Sequence, residues 1–464
     1  MTMRGFNQTR TPEWLKQGWL KQEWLKQGWL KHPMILAAAL ALFVTPLLAS
    51  EFDNEAGVYT LTALPDPVSE AKRMDRMQLS DQQPAGREVR RGETVAISVE
   101  GLPAGFTLAA SVGFLPMWEV QQTEQLQPLA EGENRFRVNQ SGPLFFRFNA
   151  PRGRTDARNE VMVRVKGGTA LPLYVDGSMD VQDWDEELAA HADANFVQLI
   201  SEHALITLPS DVHAREPVVD PGASLAVIDE VIRLQDELAG FDGSTKRDRL
   251  TRLRLHYLVD FRVSASDREN FYMYATDQFI GMLDDNTADL TDPANLRKQW
   301  AIWHETGHTQ QQNSWTFEAL GEVNVNLFSL YVQERFGQQS RLEESEDDEP
   351  SILEQARDYL EQGAPDYLAE PDDDTGFFIK LVMFHQLQQA YGWELIQQLH
   401  KHFRAQPLPE DAVDEDRVDA FVEALCELTG NDLRTFFERW GLSASARANA
   451  HIEAQGYPEP DNDL

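Results

Sequence analysis

The chain has 464 residues, 42% of them hydrophobic, and a formal charge of -35 at pH 7. Such a length and apolar content supply cores for roughly two to four domains. The charge excludes a nucleic-acid partner, because phosphates would be repelled and no basic stripe compensates.

Residues 1–33 repeat Trp-Leu-Lys from Trp14, Trp19, Trp24 and Trp29. A period of five matches neither helix nor strand, so these rings form no single stripe. Met34 to Leu48 is apolar, follows Lys31, and runs into the small residues Ala49-Ser50. It reads as the core of a signal peptide and so implies export, secreted or periplasmic. At about fifteen residues it is short for a membrane span, and no stable span is expected after its removal. Cys426 is the single cysteine, which excludes an intrachain disulfide. Its surroundings, Phe421 to Leu428, have helical spacing and suit a buried small residue.

Residues 51–86 read as a polar, weakly patterned lead. From about 87 to 170 apolar residues alternate: Val95, Ile97 and Val99; Leu144, Phe146 and Phe148; Val161, Val163 and Val165. Glycines at 92, 132, 142 and 167–168 punctuate them. This predicts a small antiparallel sandwich, so 51–170 is a β-rich N-terminal domain behind a 1–50 leader.

The next stretch, 171–340, mixes both element types. Leu225, Ile228, Val231 and Leu238, closed by Gly240, predict an amphipathic helix. Leu253, Leu255, Tyr257 and Val259 alternate as a strand, and Phe271 to Thr276 reads as another. Asp292 as N-cap and Pro293 at the first position then open a helix predicted to run to about Gln312. It carries His304-Glu305-Thr306-Gly307-His308. On a helix, His304 and His308 lie one turn apart on one face and converge on one ion. Zinc held by three protein ligands keeps one position for water and lowers its pKa to about 7. Glu305, beside the first ligand, is placed to accept that water's proton. The competing reading is a solvated helix face. After a polar break at Asn313-Ser314, residues 315–336 read as a second helix stopped by Gly337. A carboxylate near its start would complete the site, and both Glu318 and Glu322 qualify.

Acidic runs at 343–349 and 372–374 suit solvated loops. From 376 to 446 the spacing is helical: Phe377 to Tyr391, Trp393 to Phe403, Val418 to Leu428 and Leu433 to Trp440. Residues 341–464 are therefore expected to form a helical C-terminal subdomain. His385, His400 and His402 lie there; packing or surface placement explains His385 better than a role in stabilising an oxyanion, and no role is assigned to it.

The segment Trp303-His304-Glu305-Thr306-Gly307-His308, then Gln311, then Gly321-Glu322-Val323-Asn324-Val325-Asn326-Leu327-Phe328-Ser329, resembles the signature of the M60 (enhancin-like) metallopeptidases. The resemblance extends to Trp184 after Tyr174-Val175-Asp176-Gly177, to Tyr272 through Thr276, and to Trp440-Gly441-Leu442. It implies a zinc gluzincin whose ligands are His304, His308 and Glu322, with Glu305 as general base, acting on mucin-like glycoproteins. It also implies that the strand before the zinc helix receives the substrate as an added strand, with Tyr272 and Tyr274 as substrate-binding candidates. Thr309-Gln310 replaces the Asn-His common there. Neither is a ligand, so the departure bears on local substrate contacts.

The expectation is an exported, Zn2+-dependent endopeptidase of α+β class: an N-terminal β-sandwich-like domain, a gluzincin-type core and a helical C-terminal subdomain. Its partner is a glycoprotein or peptide substrate. One rival is a glycan-binding or adhesin protein with a vestigial core, against which the intact His-Glu-His-Glu set argues. Another is a gluzincin peptidase without glycan dependence. An aminopeptidase is disfavoured because no Gly-x-Met-Glu-Asn stretch is present.

Overall fold

The computed structural model describes residues 52–461, apart from 54–56, 115–123, 155, 260–271, 284–285, 346–349, 364–365 and 372. The Trp-Leu-Lys repeat, the signal-type segment 34–48, Phe271 and residues 346–349 of the first acidic run lie outside the described residues. Among the described residues no helix is long and apolar enough to cross a membrane. The chain divides into two compact units, one ending at Gln310 and the other beginning at Gln311.

In the first unit, strands β1 (Phe52–Asp53) and β2 (Val58–Thr62) are followed by helix α1 (Pro67–Met74). Then come β3 (Gln83–Val89), β4 (Thr94–Glu100), β5 (Thr107–Val112), β6 (Gln125–Pro128), β7 (Gly132–Arg137), β8 (Gly142–Asn149), β9 (Glu160–Lys166) and β10 (Thr169–Ala170). They form two five-stranded antiparallel sheets, β1-β2-β9-β4-β7 and β10-β3-β8-β5-β6. The alternating valines of β4 and β9 meet Leu144, Phe146 and Phe148 of β8 in one core. Each such Phe contributes about 1.5–3 kcal/mol by leaving water. The polar lead of 51–86 is not an unstructured tail. Its β2 pairs with β9, places Tyr59 and Leu61 in the core, and is followed by α1, capped by Asp66. Only two apolar positions of β2, Tyr59 and Leu61, enter that core, too few to stand out in the sequence.

A six-stranded mixed sheet follows. Its strands are β11 (Leu173–Val175), β12 (Phe196–Ile200), β13 (Ala204–Pro209), β14 (Leu255–Val259), β15 (Met273–Thr276) and β16 (Phe279–Met282). Among the described residues the spatial order is β11-β12-β13-β14-β16-β15, so β15 comes last in the sheet and runs antiparallel to β16. Helices α2 (Val181–Ala190), α3 (Ser210–Arg215) and α4 (Pro221–Leu238) are interleaved with it. Every residue of β14 is buried, as a strand covered on both faces requires. The sandwich covers part of it: Phe145, on the opposite face of β8 from Phe146, packs with Leu173, Val175, Ile200 and Leu205. His256 of β14 bridges Gln82 and Thr207 at 3.0 Å each.

The first unit ends with helices α5 (Thr287–Thr291), α6 (Pro293–Leu296) and α7 (Trp300–His308), and the second unit is helical: α8 (Val325–Arg335), α9 (Ile352–Glu361), α10 (Asp374–Tyr391), α11 (Trp393–Ala405), α12 (Asp414–Thr429), α13 (Arg434–Arg439) and α14 (Ala446–Gln455). Trp315 stacks on Phe421 at 5.8 Å, and Phe384 and Phe437 join them. Asp373 caps α10 and Asp374 is its first residue, so this acidic run starts a helix rather than a loop. Cys426 is fully buried, and burial pushes its thiol up to about 11. The fold is α+β with a helical C-terminal region.

Candidate metal centre

Three helices lead to the His-Glu-His segment: α5 (Thr287–Thr291), α6 (Pro293–Leu296) and α7 (Trp300–His308). The single helix expected from Pro293 is therefore two. Asp292 does cap α6, accepting from the Ala294 N–H at 2.7 Å. The break has a side-chain cause: the Trp303 indole donates to the Leu296 carbonyl at 2.9 Å, and Gln299 is extended before α7 resumes. All nine residues of α7 are buried. Its polar groups are consequently tied down. Tyr257 of β14 bonds the Thr306 hydroxyl at 2.8 Å, and Thr306 donates to the Ile302 carbonyl at 2.6 Å. Gln235 of α4 donates to the Trp303 carbonyl at 2.6 Å. Sequence reading missed Tyr257 and Gln235 as positioning groups. Gln235 had a signal: a polar residue set on the apolar stripe of α4.

His304 and His308 face each other with Nε2 atoms 3.1 Å apart and rings at 88°. Glu305 Oε2 lies 4.0 Å from His308 Nε2. One ligand atom from each of His304, His308 and Glu322 lies within 4.8 Å of the others. This donor set fits zinc. Two Zn–N bonds of about 2.0–2.1 Å at a tetrahedral angle place their nitrogens about 3.3 Å apart. Two buried imidazole nitrogens at 3.1 Å are close to that spacing. His304, Glu305 and His308 are all at most 3% exposed.

Glu322 is half-buried and lies on a turn before α8, not on a helix. A short 3-10 turn, Glu318–Leu320, precedes it. Continuing the helix would require the Gly321 and Glu322 carbonyls. Those accept instead from the side chains of Gln311, at 2.7 Å, and Asn326, at 2.8 Å. Glu318 is exposed and outside the cluster; its N–H donates to Asp414.

Tyr272 and Tyr274, the substrate-binding candidates of the sequence, are each 2% exposed. Tyr272 donates to Asp289 and accepts from Gln299 at 3.1 Å, linking the residue just before β15 to α5 and to the start of α7. Tyr274 lies over its cross-strand partner Gly281, where a Cβ would meet the ring at 2.0 Å. Thr309 donates to the Thr306 carbonyl, and Gln310 is held by Asp236 at 3.0 Å and by Arg76. Both residues at which the chain departs from the family pattern are thus buried and bonded internally. His400 is buried between Trp315 and Phe328. His385 is half-buried beside a cleft of about 650 Å³ lined by Leu353, Val382 and Arg439. Neither belongs to the cluster.

Residues 167–441 match the family described as Peptidase M60, enhancin and enhancin-like, and the chain belongs to that family. A mutant of a functionally unknown conserved protein from Bacillus anthracis str. Ames has a similar structure, with a TM-score of 0.76 and 29% identity, over 88% of this chain and 80% of that one. The M60 catalytic domain of Clostridium perfringens ZmpC, solved with the sialyl T antigen, shares the fold at a TM-score of 0.68 and 19% identity, over 87% of this chain and 80% of that one. TRPM8 channel-associated factor 2 of Homo sapiens is 26% identical over 286 residues, 61% of this chain and 29% of that protein. The chain therefore spans under a third of that curated relative.

Proposed function

We propose that this protein is an exported zinc endopeptidase that cuts the backbone of glycosylated, mucin-like proteins. The observation that carries the reading is the convergence of ligand atoms from His304, His308 and Glu322 with the Glu305 carboxylate beside them. Bound zinc supplies Lewis acidity to the scissile carbonyl and to the attacking water. Glu305 takes the proton from that water on a carboxylate oxygen and delivers it to the leaving amine. The burial of all nine residues of α7 supports this role, because it limits the movement of Glu305. The substrate backbone lies along β15, the strand that ends the sheet and packs against α7. Mucin-type stalks are extended and suit that edge.

The glycan preference draws on family membership and on the glycan complex of ZmpC. Against that sialylated ligand, the charge of -35 favours neutral glycans here. The test compares one O-glycosylated peptide, its sialylated form and its bare sequence, with and without chelator, by mass spectrometry. Chelator-sensitive cleavage that is fastest on the neutral glycopeptide is expected. Equal or faster cleavage of the bare peptide refutes glycan dependence. No cleavage of any form by zinc-loaded protein favours the binding-protein alternative. Export rests on the apolar 34–48 segment, and N-terminal sequencing of native protein is expected to start near Ser50. An intact N-terminus would refute it.

A further inference from the structure

We propose that Gln311 is a positioning residue for the metal ligand Glu322, holding its turn in the ligating place through a side-chain amide that Asn324 orients. The proposal rests on the ligand assignment above. Gln311 follows His308 by three residues and is 3% exposed. Its Nε2 donates to the Gly321 carbonyl at 2.7 Å, the peptide oxygen just before Glu322, and also to Asn324 Oδ1. Asn324 in turn donates from Nδ2 to Thr316 Oγ1 at 3.0 Å, which fixes which end of its amide faces Gln311. On the other side of the ligand, Asn326 Nδ2 takes the Glu322 carbonyl at 2.8 Å. Backbone bonds from Val323 and Asn324 to the Leu320 carbonyl complete the turn.

Both peptide oxygens flanking Glu322 are thus occupied by buried amides. The turn cannot rotate into a regular helix without leaving one of these donors unmet, which is costly in a buried place. A third ligand held in this way adds to metal affinity because less ordering is required when the ion binds.

The test is zinc affinity of the full chain, measured by competition with a chromophoric chelator, in a double-mutant cycle. Glu322→Ala is expected to lower affinity strongly. Gln311→Met keeps length and removes the donor, and is expected to lower affinity about 10- to 100-fold, the range for groups that orient a ligand. In the Glu322→Ala background the same change is expected to alter affinity less than about twofold, because its effect passes through Glu322. If Gln311→Met does not fold, Asn324→Ala carries the test, with an expected loss of about tenfold. Unchanged affinity in the folded Gln311 or Asn324 variant, with Glu322→Ala impaired, overturns the positioning role and leaves the ligand set intact. So does a loss that is equal in both backgrounds. Unchanged affinity in Glu322→Ala overturns the ligand assignment itself.

Discussion

The bond between Tyr257 and Thr306 joins the central strand of the mixed sheet to the helix that carries both histidines, and its removal has a calculable cost. Tyr257 is 1% exposed, and burial pushes its hydroxyl well above the ordinary tyrosine value. It therefore remains a donor at any physiological pH. Thr306 spends its own proton on the Ile302 carbonyl, so the phenol is the donor in the 2.8 Å contact. Tyr257→Phe removes one buried bond and leaves the Thr306 oxygen with one contact, a loss of about 1–2 kcal/mol. Thr306→Val strands the phenol hydroxyl in an apolar layer and costs more, about 2–3 kcal/mol. The double variant removes both partners and is expected to be no less stable than Thr306→Val alone. Native-state hydrogen exchange of a peptide covering residues 300–308 reads this local stability. Effects that add to within about 0.3–0.5 kcal/mol would show that the two hydroxyls are not coupled, and the account of how α7 is anchored would fail.

Two further outcomes are expected. Glu305→Gln should retain zinc and the fold while losing nearly all turnover, because the amide cannot accept the proton; turnover at the wild-type rate would move the general base elsewhere. Lys380 is 4% exposed, lies over the Tyr367 ring, and burial pushes it down to about 8 from 10.5. Between those values the unfolded chain holds a proton that the folded chain has released, so stability rises with pH across that window and its cost is fully present below pH 8. Lys380→Met should flatten the rise in denaturation midpoint over that window, and identical slopes would contradict the shift.

The sequence by itself determined the residues that are local to one another. The i, i+4 pair His304 and His308 needed only a helix to converge, and α7 is one. The alternating valines of β4 and β9 needed only a strand, and the α4 stripe only a helix. Family resemblance chose Glu322 over Glu318, which spacing left open. Tertiary structure decided what depends on distant partners. The helix expected from Pro293 is broken because the Trp303 indole takes a carbonyl that the backbone would otherwise use. Glu322 stands on a turn because Gln311 and Asn326 take the carbonyls on either side of it. Tyr272, just before β15, and Tyr274, on it, are turned inward by Asp289 and by the space above Gly281. In each case a side chain competes successfully for a backbone group or a cavity, and local periodicity carries no record of that competition.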